Sequence, residues 1–252
     1  GRGVYAGGSA EGYTNVIQRV TIASTGNAVD FGDLTVAKNN MAQNAPSNGL
    51  RAVWSAGSVP GGDDENKIEY TTIMSGGGAS DFGDHGSNMS RYRQAGVSNK
   101  TRGIWAGGNP FSPGNQIQYV TIMTAGNSID FGNLTYGRRS AAGNSGGTSS
   151  RGLIGGGVSL TSPGSTGHYN YIDYFDIDTA GNGTDFGDLT VARYWVTGAS
   201  NATRGTFFAG ASLGPYSVKN TIDYVTIATT GNASDFGDAL EAIEKTGGCS
   251  GD

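Results

Sequence analysis

Apolar and polar residues alternate along this chain in short runs, and helical spacing is present only weakly, near Leu240 to Lys245. The run QIQYVTIM from Gln116 is representative. Ile117, Tyr119 and Thr121 fall on one pleat face and Val120 and Ile122 on the other, which is the two-residue period of a strand. Glycine, asparagine and serine flank such runs as turn residues do. With β-branched and aromatic residues on both faces, the predicted sheet is covered on both sides.

One phrase returns five times: VTIASTGNAVDFGDL from Val20, TTIMSGGGASDFGDH from Thr71, VTIMTAGNSIDFGNL from Val120, FDIDTAGNGTDFGDL from Phe175 and VTIATTGNASDFGDA from Val225. A second phrase, an arginine followed by a small residue, apolar residues and glycines, begins at Arg2, Arg51, Arg102, Arg151 and Arg204, so its copies lie 49, 51, 49 and 53 positions apart. Repeats of about 50 residues are the size of four-stranded propeller blades. Each copy divides into four strands, for example MSRYRQAGVS from Met89, then TRGIWAGG, QIQYVTIM and SIDFGNL. The next arginine follows Phe31, Phe82, Phe131 and Phe186 by 20, 20, 20 and 18 residues, and joining the termini would bring Arg2 to 18 residues after Phe236. The prediction is an all-β chain forming a single domain over 1–252, a five-bladed β-propeller with repeats at about 2–50, 51–101, 102–150, 151–203 and 204–252. The C-terminal EKTGGCSGD is expected to supply the inner strand of the N-terminal blade, closing the ring and removing an open sheet edge.

An inner strand, an apolar strand ending in paired glycines (Gly7-Gly8, Gly107-Gly108, Gly155-Gly156) and a strand carrying a Tyr together resemble the kelch repeat of β-propellers, over essentially the whole chain. The chain departs from that pattern in the fourth strand, where Phe31, Phe82, Phe131, Phe186 and Phe236 replace a Trp. The phrases TGNASDFGDL and TRG also look like the kelch-like repeats in tail and other virion proteins of aquatic bacteriophages. That resemblance implies an extracellular or virion setting and a structural role.

Composition narrows the function. With 45 glycines and only 6 prolines in 252 residues and no G-X-Y period, the chain is turn-rich and not collagenous. The single Cys249 excludes an internal disulfide framework. A net charge of −5 gives no general attraction to polyanions, so nucleic acid is not an expected partner. No apolar run approaches the roughly 20 residues of a membrane span, and GRGVYAGG lacks the pattern of a signal peptide. Starting at Gly1 rather than Met, the sequence reads as a processed form, a fragment or one with a missing start.

No catalytic constellation emerges. The recurring pairs Asp30 and Asp33, Asp81 and Asp84, Asp185 and Asp188, and Asp235 and Asp238 have the oxygen chemistry of a calcium site but not the alternating spacing of a calcium loop, and Asn133 breaks the series. Turn-forming carboxylates that accept backbone N–H groups are the simpler account. Asp-Phe-Gly also occurs in kinases, but none of the accompanying kinase motifs is present. His85 and His168 stand in no metal or nucleophile context and have no counterparts in other repeats. No enzyme activity, cofactor or metal is expected. The Asn-X-Ser/Thr sequons at Asn88, Asn99, Asn133, Asn182, Asn201 and Asn232 bear on glycosylation only in a eukaryotic secretory pathway.

Binding is the better-supported expectation. The loops between second and third strands vary from SAEGYTN to VSLTSPGSTGHYNY and carry Tyr13, Phe111, His168, Tyr169, Tyr171 and Tyr216, aromatics on a rigid scaffold that can stack on sugars or anchor a protein. Seven residues after the motif Phe stand Lys38, Arg138 and Arg193, with Arg91 two further on in its repeat, while Ile243 breaks the series. These bases predict a partial cationic ring that attracts an anion or the acidic loop Asp63-Asp64-Glu65 of another copy. The sequence thus points to a structural or adhesive module that binds copies of itself or another assembly protein. A surface glycan is the alternative partner, although aromatics that do not recur at equivalent positions argue against one sugar site per blade.

Overall fold

A computed structural model describes residues 1–8, 12–61, 64–86, 92–109, 114–146, 150–159 and 167–248, with Asp64 described by its backbone alone. It is all-β, five antiparallel sheets in a ring, the architecture expected from the repeat. Blade 1 contains Arg2–Ala6, Thr14–Thr21 and Val29–Lys38, and blade 2 Arg51–Ser58, Asp64–Thr72 and Ser80–Asp84. Blade 3 has four strands, Ala95–Ser98, Arg102–Ala106, Gln116–Thr121 and Ile129–Asn133. Blade 4 has Ala142–Ser145, Arg151–Gly155, Tyr171–Asp176 and Thr184–Asp188, and blade 5 Thr197–Ser200, Arg204–Ser212, Ser217–Thr226 and Ser234–Asp238. In blade 2 the inner position is held by a bridge from Ser47 to Ala52 and by the Val53 N–H donating to Pro46 O at 2.9 Å. Pro46, with no N–H of its own, cannot extend that pairing into a ladder.

The Asp-Phe-Gly phrase is a β-bulge. Ile172 faces Gly187 while Asp173 faces Asp185, which leaves Phe186 as the extra residue, and the same shift occurs in every blade. Asp30, Asp81, Asp185 and Asp235 each accept the N–H of the bulge glycine, at 2.9–3.2 Å, so these carboxylates form the turn as the simpler account holds. The bulge turns its Phe towards the next blade: Phe31 joins a cluster with Ala52, Trp54 and Ile73, Phe82 one with Trp105, Val120 and Ile122, and Phe131 one with Phe175 and Ile177. Phe186 likewise meets Phe207, Val225 and Ile227. The core therefore lies between blades, one layer per interface.

Backbone bonds reinforce each layer. Gly77 donates to Phe31 O, Gly126 to Phe82 O and Gly231 to Phe186 O, at 2.6–3.0 Å. Arg2, Arg51, Arg102 and Arg151 reach across to carbonyls of the following blade, such as Ile73 O at 3.0 Å and Ile227 O at 3.1 Å. At the axis, the Asn44 amide donates to Gly143 O at 2.9 Å, and that of Gln43 donates to Ala141 O at 2.9 Å and Val196 O at 2.7 Å. These two amides tie the segment before blade 2 to residues at the inner strands of blades 4 and 5.

The C-terminal run approaches the fifth inner position. Gly248 packs so closely on Gly198 that an added Cβ would lie 2.6 Å from Gly198 O, and the Thr197 hydroxyl donates to Thr246 O at 2.6 Å. Among the described residues, however, Arg2–Ala6 pairs only with Thr14–Thr21, and 249–252 lie outside the description. Among the described residues blade 1 has three strands, and part of the run expected to supply its fourth lies outside them.

Candidate functional site at the axial mouth

Connections between blades pair with the second-to-third-strand loops, Asn39 with Ser58, Tyr92 with Asn109, Arg139 with Val158 and Tyr194 with Ala211, so both belong to one face of the disc. On that face one position per blade takes a left-handed backbone: Asn40, Arg93, Ser140, Trp195 and Lys245, with φ from 51 to 59°. Arg93 N–H donates to Asn40 O at 2.8 Å, Ser140 to Arg93 O at 3.0 Å and Trp195 to Ser140 O at 2.9 Å. These bonds link four of the five positions, Asn40, Arg93, Ser140 and Trp195, into a belt.

The belt borders a cavity of about 320 Å³ lined by Arg93, Arg139, Ser140, Val158, Tyr194, Trp195 and Leu213. The Arg93 guanidinium lies over Tyr92 and Trp195, donates to Asn40 Oδ1 at 3.2 Å, and has no carboxylate at ion-pair distance among the described residues. Burial, followed by the charge of Arg139, pushes its pKa below the ordinary arginine value. Lys245 Nζ stands 3.9 Å from the Trp195 ring centre. The Ser140 hydroxyl, buried at the cavity wall, has no hydrogen-bond partner among the described residues. A recess with two arginines and aromatic residues in its lining and a buried hydroxyl suits an anionic group, whereas Lys245 beside it already pairs with Glu244 at 3.1 Å. A second cavity of about 330 Å³, at the rim turn of blade 5 around Thr226, Thr229 and Asn232, presents no cationic or carboxylate side chain.

The basic ring predicted from the sequence is corrected by this structure. Lys38, Arg138 and Arg193 are buried between blades: Lys38 pairs with Glu69 at 2.5 Å and Glu65 at 3.0 Å, Arg138 with Asp173 at 2.8 Å and Arg193 with Asp223 at 2.9 Å. Each cation neutralises an acid from the following blade, so none is available to an external ligand. Between blades 2 and 3 a neutral network takes their place, His85 bonding Ser55 Oγ at 2.6 Å and Gln118 Oε1 at 2.7 Å. His85 is therefore a buried interface residue rather than a surface ligand.

Among the predicted aromatics, Tyr13 is exposed, and so is Tyr216, whose hydroxyl a hydrogen bond to Glu244 pushes up to about 12. Tyr169 and Tyr171 come together with Tyr136, which the sequence reading had not singled out. Tyr136 and Tyr171 stack at 5.0 Å, and Tyr169 and Tyr171 at 5.3 Å. His168 is half-buried beside Val158, and Phe111 and Arg91 lie outside the described residues. Arg93, Ser140, Trp195 and Lys245 were missed because they differ chemically from blade to blade. Their signal was positional: each stands two residues beyond Arg91, Arg138, Arg193 or Ile243.

Fold and recess together define a five-bladed β-propeller with a recess on its loop face. No protein-family model and no curated protein matches the chain.

Proposed function

We propose that the protein is a non-catalytic interaction module that docks an acidic group of a partner through its loop face, at the axial mouth. Propellers generally mediate protein interaction. The observation that carries the finer reading is that Arg93 and Arg139 line one recess together with Ser140, whose buried hydroxyl has no partner among the described residues. The extracellular or virion assembly setting rests on the resemblance of the repeats to phage tail proteins. Titration with a hexaglutamate peptide, followed by tryptophan emission, is expected to saturate, and Arg93→Ala with Arg139→Ala should weaken binding at least tenfold. An unchanged affinity in that double variant would exclude the mouth as the docking site.

A carbohydrate-binding reading is favoured by one separate observation, the half-exposed stack of Tyr136, Tyr169 and Tyr171. Such a platform can cover the apolar face of a sugar ring. A glycan array that is positive with the parent and negative with Tyr136→Ala and Tyr171→Ala would support this second reading, and an array blank with the parent would reject it.

A further inference from the structure

The four consecutive blade interfaces are internal standards for a fifth, between blades 5 and 1. On the blade 5 side, Phe236 is 55% exposed, whereas Phe31, Phe82, Phe131 and Phe186 are 2–6% exposed. On the blade 1 side, Ile22 is 61% exposed, and its counterparts Ile73, Ile122, Ile177 and Ile227 are 0–7%. A Cβ built on the bulge glycine Gly187 lies 2.5 Å from Gly231 C, yet one on Gly237 meets nothing within 4 Å, although its φ of +136° matches the others. Arg204 stacks on Tyr224 as Arg51, Arg102 and Arg151 do on their tyrosines, but among the described residues it donates no bond to a following blade. Both halves of an interface are therefore formed and uncovered.

The two faces also match each other in sequence. At the other charged interfaces a threonine and a base oppose an acid, as Thr135 and Arg138 oppose Asp173 and Thr190 and Arg193 oppose Asp223. At the fifth, Leu240 and Ile243 replace the threonine and the base, and Gln18 stands in the acid's place. Blade 5 docked on an acid-bearing face would bury an unpaired carboxylate, so the neutral face of blade 1 is its fitting partner.

We infer that blade 5 of one copy docks on blade 1 of a second copy of this chain, head to tail. The faces are different patches at the two ends of one molecule, so the contact is heterologous and propagates into chains or larger rings. The inference rests on the assembly reading but uses the seam rather than the loop face. Two variants in a Cys249→Ser background test it, one carrying Asn27→Cys and the other Asp238→Cys. The interfaces already formed set the geometry, since Asp188 N–H meets Asn232 Oδ1 at 3.1 Å. Mixed and oxidised, the two are expected to give a cross-linked heterodimer that neither gives alone and that Phe236→Glu abolishes. Absence of the heterodimer at millimolar protein would overturn the inference. So would a heterodimer insensitive to Phe236→Glu, provided circular dichroism shows that variant folded. Neither result touches hexaglutamate binding at the mouth, so failure of the seam and failure of the mouth are separable.

Discussion

Buried charge is handled residue by residue between the blades. Burial by itself would raise the Glu69 carboxyl, but hydrogen bonds from Lys38 and Thr35 and the charge of Lys38 outweigh it and hold the carboxyl below its ordinary 4.5. A folded-state pKa that is depressed adds stability above the unfolded value, and this is lost as pH falls through the folded one. Glu69→Gln should therefore flatten the acid limb of a stability–pH curve below pH 4.5. At neutral pH it should cost about 3 kcal/mol in urea unfolding, because Lys38 is left with Glu65 alone. An acid limb as steep as the parent's would refute this role. The position of these bases was legible in the repeat, seven residues after the Phe, but their fate was not. A cation at a strand end can face solvent or a neighbouring sheet, and only the placement of Asp173, Asp223 and Glu69 one blade further on decides between them.

At the scale of the element, the bulge converts a strand into half of an interface. Gly187 and Gly237 have near-identical backbones, with φ of +142° and +136°, in a region that only glycine occupies without strain. Gly237→Ala should cost about 1–3 kcal/mol for that strain. Gly187→Ala carries the same strain plus a collision with the Gly231 backbone, and should lose about 1–3 kcal/mol more. Urea midpoints and slopes of the two variants measure the difference, and equal losses would mean that Gly237 too is covered in solution. The sequence displayed this element plainly as Asp-Phe-Gly in five copies. The register shift that ejects the Phe was hidden, because strand alternation counts residues without showing where pairing slips.

The number of blades followed from spacing, because each blade needs about 50 residues of chain. Closure did not follow in the same way: the 18 residues from Phe236 to Arg2 are counted across termini that are not joined, and a spacing does not show whether two faces meet. What the seam changes is the distribution of stability. Blades 3 and 4 are packed on both sides, whereas blades 1 and 5 each leave a Phe or Ile layer uncovered, and blade 1 has no inner ladder among the described residues. In a molecule built of stacked repeats, each unit draws stability from its neighbours, so the two ends open first. Native-state hydrogen exchange at micromolar concentration should show the slowest amides in Arg102–Ala106 and Arg151–Gly155 and the fastest ladder amides in Arg2–Ala6. Head-to-tail docking adds a further condition, because burying Phe236 and Ile22 against each other supplies the missing layer by mass action. Protection of blades 1 and 5 should then rise with protein concentration while that of blades 3 and 4 stays constant. Uniform protection at every concentration would mean a ring already closed within one chain.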